Sequence, residues 1–434
     1  MWVMATSGRG NTELSNMITL SRPGALQALP PLSLYVHLPW CLKKCPYCDF
    51  NSHEASRQAA SPSVIPIAQH AASGQAASEH TRQLSPQIEA QYIDALIADL
   101  ESALPQIWGR RVHTIFIGGG TPSLFSPDSI DRLLADVRAR LPLEPQCEIT
   151  LEANPGTFEK DRFKAFRQAG VNRLSIGVQS FDDAKLKALG RVHDRAQAMA
   201  AIEEAQRCFE TFNLDLMYAL PGQSAADLDA DISQALAFEP PHLSLYHLTM
   251  EPNTVFATQP PKDLPDDDTA FDMLDHLIER TEAAGLQRYE VSAYAKPGHQ
   301  AQHNLNYWQF GDYLGIGAGA HSKISFPDRI VRQVRWREPA AYMSKAIEGQ
   351  ACSNETEVVL QSRAFEFMMN ALRLKDGFEL LRFNERTGMT LASIQQPLAQ
   401  AEAKGLLQRD LARAWPTAKG FDFLSDLQAL FLKD

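Results

Sequence analysis

From Leu34 to Leu248 short β-rich runs alternate with segments of helical apolar spacing, and this alternation narrows the fold more than any other feature of the sequence. Strands are predicted at Leu34 to Leu38, Thr114 to Ile117, Cys147 to Ala153, Arg173 to Gly177, Asn213 to Tyr218 and His242 to Leu248. Helices are predicted over Ile88 to Leu104, from the Ser126-Pro127 cap to about Leu141, over Glu159 to Ala169, twice more before Cys208, and over Ser224 to Ala237. Strands joined by helices pair in parallel through right-handed crossovers. The result is an α/β chain, either a partial barrel or an open doubly wound sheet, and periodicity alone does not choose between them. In both, sites gather at the carboxyl ends of the strands.

Cys41, Cys45 and Cys48 follow the first strand in L-P-W-C-L-K-K-C-P-Y-C-D-F. A C-x3-C-x2-C loop can bring three thiolates to one inorganic centre. Cubane clusters are normally held by four thiolates, so three would leave one iron open to a non-protein ligand. Structural zinc would call for a second knuckle or nearby histidines, and neither accompanies the loop. The remaining cysteines, Cys147, Cys208 and Cys352, are isolated in apolar surroundings that suit reduced, buried thiols.

The other strand ends carry polar residues in turn: Gly119-Gly120-Thr121, Glu152, Gln179, Asp215, and Tyr246 with His247. Singly, a glycine run is a tight turn and a glutamate a salt bridge. Their recurrence at one end of successive strands points to a binding site.

The 434 residues suggest one large and one small domain: a flexible segment over residues 1–32, a core over 33–350 and a C-terminal domain over 358–434. Residues 54–86, rich in Ala, Ser and Gln, read as a low-complexity insertion within the core, and His53, His70 and His80 in or beside it are assigned no role. With 52 acidic against 41 basic residues the net charge is −11, which disfavours nucleic acid as a partner. No apolar run approaches the roughly 20 residues of a membrane-spanning helix, and a cytoplasmic location is expected. The tail from about Val358 has short amphipathic helices and a small hairpin predicted around Ala414-Trp415-Pro416.

C-x3-C-x2-C directly after a strand resembles the signature of the radical S-adenosylmethionine superfamily. Within it, Y-V-H-L-P-W-C, G-G-G-T-P-S, D-L-M-Y-A-L-P-G-Q and H-N-L-N-Y-W resemble the HemN/HemW family, from about Ser33 to the C-terminus. The resemblance implies a partial (β/α)6 barrel with a small, mainly helical, winged-helix-like C-terminal domain. It implies a 4Fe-4S cluster on Cys41, Cys45 and Cys48, with S-adenosylmethionine on the open iron. Carried over motif by motif, the nucleotide site comprises Tyr35, Tyr47, Gly119, Gly120, Thr121, Glu152, Gln179, Arg191 and Asp215, with Tyr246 or Thr249 beside the adenine. Arg191 also reads as a solvated helix-end arginine.

The family divides two residues beyond the third cluster cysteine. Its oxygen-independent coproporphyrinogen III oxidases carry a further cysteine there, and this chain has Phe50. That departure, with H-N-L-N-Y-W, favours the haem-chaperone branch, whose ligand is haem and whose partner is a haem-accepting protein, with weak membrane-surface association through that acceptor. His303, Asn304, Tyr307 and Trp308 are the implied haem residues, although by composition alone His303 reads as a hydrogen-bonded loop histidine. Gly315, Gly317 and Gly319 in Y-L-G-I-G-A-G-A-H read as a tight backbone crossing rather than a phosphate loop.

Overall fold

The six predicted strands form and lie side by side in sequence order in the computed structural model, which describes residues 24–55, 84–157 and 161–432. They are β1 (Leu32–Leu38), β2 (Val112–Gly119), β3 (Leu143–Ala153), β4 (Arg173–Gln179), β5 (Thr211–Tyr218) and β6 (His242–His247), all parallel. The crossovers carry α1 (Pro86–Ala103), α2 (Pro127–Arg140), α3 (Arg162–Ala169), α4 (Asp183–Ala188), α5 (Arg195–Cys208) and α6 (Ala225–Leu236). Their starts follow from local chemistry. Ser85 and Ser126 accept from the backbone N–H of Ile88 and Ser129, each followed by a proline that needs no N–H partner, and Ser224 closes a capping box with Asp227.

The sheet is wider than predicted. Its far side continues through β7 (Gln287–Arg288) and β8 (Ala293–Ala295), and its near side through β9 (Asp312–Ile316), β10 (His321–Ser325), β11 (Ile330–Arg335) and β12 (Cys352–Glu357), in the order β12-β11-β10-β9-β1-β2-β3-β4-β5-β6-β8-β7. Strand β9 is a seventh parallel strand, with Leu32 to Val36 in register with Asp312 to Ile316. Flanked on both sides, β1 is buried along nearly its whole length, as a central parallel strand requires. The glycines that hid β9 are its fitting. A Cβ on Gly315 would strike the His321 carbonyl oxygen, and one on Gly317 (φ 108°) the His37 carbonyl oxygen, so the tight crossing is present and lies within and just after a strand.

The near flank is locked by a buried charge. Asp99 of α1 accepts from Arg335 Nε at 2.8 Å, from the hydroxyl of Tyr342 in α9 (Pro339–Ile347) at 2.9 Å and from Gly317 N at 3.3 Å. Both members of the ion pair are at most 2% exposed. Removing one partner strands the other, at a cost of about 3–5 kcal/mol. Asp99→Ala is therefore expected to lower the thermal midpoint of unfolding by several degrees, while a surface control such as Asp94→Ala leaves it unmoved; equal midpoints would show that this pair contributes little.

A second core, including Phe310, Phe367, Phe378, Phe383 and Leu427, gathers α10 (Leu360–Ala371), the helices Leu380–Thr387 and Gln395–Ala403, and a three-stranded antiparallel sheet of Phe378–Glu379, Leu407–Arg409 and Arg413–Pro416. The predicted hairpin is thus present, with one more strand. Part of the segment expected to be flexible is built into this region. Leu26 is buried in the second core, and Arg363 Nη1 donates to the Gly24 carbonyl at 2.7 Å. Residues 1–23, and most of the 54–86 insertion with His70 and His80, lie outside the described residues. Among the described residues no helix is long and apolar enough to cross a membrane.

Candidate functional site

The cysteine loop is clamped at its base. Trp40–Cys41 pairs with His53–Glu54, and Trp40, 1% exposed, packs on Tyr92 with ring centroids 4.7 Å apart. From beneath, Gly120 N donates to the Leu38 carbonyl and Thr121 N to the Trp40 carbonyl, each at 2.8 Å. A Cβ on Gly119 (φ 124°) would lie 2.7 Å from the Leu38 carbonyl oxygen and one on Gly120 2.6 Å from that of Trp40. These glycines are there because the end of β2 passes directly under the loop.

Cys41 is buried, Cys45 and Cys48 are partly exposed, and none is in a disulfide. All three line one cavity of about 300 Å³. Arg191 Nη1 donates to Cys45 Sγ at 3.8 Å and its Nη2 to the Gly177 carbonyl at 2.8 Å, while Nε is buried with no hydrogen-bond partner among the described residues. Arg191 thus belongs to the cavity and is not a solvated helix-end residue. Burial pushes the Cys41 thiol up to about 11 and raises that of Cys48, with Ser52 counteracting. Among the described residues no three His, Cys, Asp or Glu side chains converge to hold one metal ion. In a cubane each cysteine binds a different iron, and three free thiols on one cavity would leave one iron open. The donor set fits the cluster.

Facing the cysteines is the inner face of the sheet. Thr150 and Glu152 from β3, Ser175, Gly177 and Gln179 from β4, Asn213 and Asp215 from β5, and Ser244 and Tyr246 from β6 all line the same cavity at every second position. One face of four successive strands can close on one small cavity only if the sheet curls, which favours the partial barrel over a flat sheet. Asp215 accepts from Asn213 Nδ2 at 2.7 Å and from the Ser175 hydroxyl at 3.1 Å. Glu152 accepts from Gly119 N at 3.1 Å. Burial first, then the charge of Asp215, holds the Glu152 carboxyl up at about 8; burial raises Asp215 to about 6 against those hydrogen bonds. Gln179 sits at φ 68°, a strained conformation for a side chain of its kind. Tyr47 joins the cavity from the loop and packs near Phe256, with ring centroids 6.4 Å apart.

Ser175, Asn213 and Ser244 escaped the sequence reading although they stand two or four residues from predicted positions on the same strands. Strand alternation was the signal that would have found them. Thr249 is not in the cavity; its hydroxyl donates to the His247 carbonyl at 3.3 Å.

A larger pocket, about 670 Å³, adjoins the first and shares Phe50, Gly119 and Glu152 with it. Tyr35, placed in the nucleotide site by sequence, lines this second pocket instead, donating to His37 Nδ1 at 2.9 Å. Tyr307 and Trp308 also line it, whereas Asn304 faces the cluster cavity. His303 opens neither way. It lies in α8 (Gln302–Trp308), 1% exposed, with Nδ1 donating to the Thr114 hydroxyl at 2.8 Å and Nε2 accepting from the Tyr307 hydroxyl at 2.9 Å. Burial pushes it down to about 3. The motif expected as a loop is a helix, and its histidine is engaged at both nitrogens. Asn51, just past the cysteines, anchors their loop to the larger pocket's wall: its carbonyl accepts from His37 Nε2 at 2.9 Å, and its Nδ2 donates to the carbonyls of Ala318 at 2.9 Å and Arg337 at 2.8 Å.

A family model described as the Radical SAM superfamily matches residues 35–235, and one described as the HemN C-terminal domain matches residues 360–423. The chain is 46% identical to heme chaperone HemW of Escherichia coli (strain K12), over 94% of this chain and 99% of that one. It is 36% identical to radical S-adenosyl methionine domain-containing protein 1, mitochondrial, of Bos taurus, over 74% of this chain and 68% of that one. The structure of the radical SAM enzyme coproporphyrinogen III oxidase (HemN) from Escherichia coli superimposes with a TM-score of 0.73 at 24% identity, covering 95% of this chain and 91% of that one, a likeness of fold alone. With nearly its whole length matched at such identity, the chain belongs to the HemW haem-chaperone family of the radical S-adenosylmethionine superfamily.

Proposed function

We propose that this protein carries haem to an acceptor haemoprotein, holding a 4Fe-4S cluster on Cys41, Cys45 and Cys48 with S-adenosylmethionine bound beside it. The observation that carries the reading is the pair of adjoining pockets. One is lined by three free thiols and two carboxylates, the other by aromatic side chains, and Phe50, 61% exposed, stands between them.

In the first, Arg191 offsets thiolate charge at Cys45. Glu152 and Asp215 are suited to the N–H groups of the methionyl amine and to ribose hydroxyls, and Gln179 and Asn304 add amide partners. When bound, the cluster supplies an open iron for the methionyl amino and carboxylate groups and a source of one electron. In the second, Tyr307, Trp308 and Phe50 offer apolar surface to a porphyrin. Oxidation of coproporphyrinogen III is the alternative; it draws on likeness of fold to HemN, and the cysteine expected of such oxidases is replaced by Phe50.

Anaerobically reconstituted protein should bind haem saturably with a distinct Soret band, pass it to an apo-acceptor, and leave coproporphyrinogen III unconverted with S-adenosylmethionine and a strong reductant present. Formation of protoporphyrinogen IX without saturable haem binding would restore the oxidase.

A further inference from the structure

With His303 engaged at both nitrogens, axial ligation of a haem iron by an imidazole would fall to another histidine. Two histidines line the larger pocket, His37 and His321. His37 is 5% exposed and bonded to Tyr35 and Asn51. His321 is exposed, and its ring makes no hydrogen bond to any described residue.

The sheet explains how it is presented. His321 stands opposite Val334 and Lys323 opposite Arg332 in the antiparallel β10–β11 pair, and Tyr313 of β9 stands opposite Lys323. Residues opposite one another, and those two apart, share one face, so these five side chains form one wall of the pocket with His321 at its edge. The cations on that side differ. Lys323 is buried on Asp312 at 2.8 Å, and Arg332 Nε donates to Glu366 at 3.0 Å. Arg337, exposed at the pocket's rim, forms no ion pair with any described residue.

We propose that His321 is the axial ligand of the bound haem iron and that Arg337 receives a haem propionate, while His303 fixes the pocket wall by holding Tyr307. The proposal rests on the haem-carrier reading and names the groups that would do the binding. A neutral imidazole is a common haem ligand, and burial together with the charges of Arg332 and Arg337 keeps the His321 ring below its ordinary value. Guanidinium is well suited to a carboxylate. The 670 Å³ pocket falls within the roughly 300–1,000 Å³ typical of small-molecule sites.

Ferric haem titrations of the full-length reconstituted protein, followed by Soret absorption and electron paramagnetic resonance, test this. His321→Ala should weaken haem binding by about tenfold or more and alter the ligand field, with free imidazole restoring the wild-type spectrum. Arg337→Gln should weaken binding by about tenfold without altering the spectrum. His303→Gln, which retains hydrogen-bonding capacity beside Thr114 and Tyr307, should keep the wild-type spectrum. A wild-type spectrum in His321→Ala, or loss of the imidazole signature in His303→Gln alone, overturns the assignment and leaves haem carriage standing. Absence of saturable binding in the wild type overturns both.

Discussion

Cys45→Ser, reconstituted anaerobically, is expected to lose most of the about four irons and four sulfides that a cubane would bring to the wild type. Cys45 is the thiol beside the Arg191 guanidinium. Serine places a poorly acidic hydroxyl where a thiolate is needed, and it leaves a largely enclosed cation with one partner fewer. Cys41 and Cys48 alone cannot hold a cubane firmly. Iron and sulfide analysis together with cluster absorption provides the measure. Retention of a stable zinc ion by the wild type, without iron-dependent absorption, would sink the cluster assignment.

Glu152→Ala should weaken S-adenosylmethionine binding by about 10- to 100-fold while sparing the cluster, since hydrogen bonds to charged groups contribute about 1.5–3 kcal/mol. The pH dependence separates this from a general loss of shape. Held up at about 8, the carboxyl is protonated at neutral pH, and its ionised form is the stronger acceptor for the N–H groups of the methionyl amine. Affinity in the wild type should therefore rise as pH approaches and passes 8, and Glu152→Ala should flatten the rise. Linkage has the opposite sign for the protein alone. With its folded pKa above the unfolded value, Glu152 contributes stability that is full below the unfolded pKa and is lost as pH rises through about 8. Equal affinity of the two proteins in equilibrium dialysis at both ends of that range would remove Glu152 from the site.

The six central strands were legible because each is a β-rich run bounded by turn residues, and the helices between them carry caps that act locally. Strand β9 was not, because Gly315 and Gly317 lower strand propensity where backbone crowding demands them. The same limit governs the site. Glu152, Asp215 and the cysteines, picked out by motif and strand end, line one cavity, and Arg191 joins them there. Tyr35 lines the adjoining pocket beside Glu152, because sequence gives a residue's strand but not which cavity lies over that part of it. His303 came as a haem residue from the family resemblance, whereas composition read it as a hydrogen-bonded histidine; the Thr114 hydroxyl that accepts from it stands 189 residues away in the chain. Tertiary partners of this kind leave no local pattern. Gly24 to Pro31 likewise looked unstructured, since its partners are Arg363 and the second core.

Asn51 joins the cysteine loop to the wall of the larger pocket, so coupling between the two is open to measurement. Its backbone belongs to the loop that carries the cysteines, while its side-chain amide holds the carbonyls of Ala318 and Arg337 on either side of β10 and β11. If loading the loop alters haem affinity through this clamp, reciprocity requires haem to alter cluster retention by the same factor. Haem titrations with and without cluster, set against chelator titrations of the cluster with and without haem, should return one number twice. In Asn51→Ala both factors should collapse toward unity, and on the haem-carrier reading haem uptake would then no longer depend on whether an iron-sulfur centre is in place.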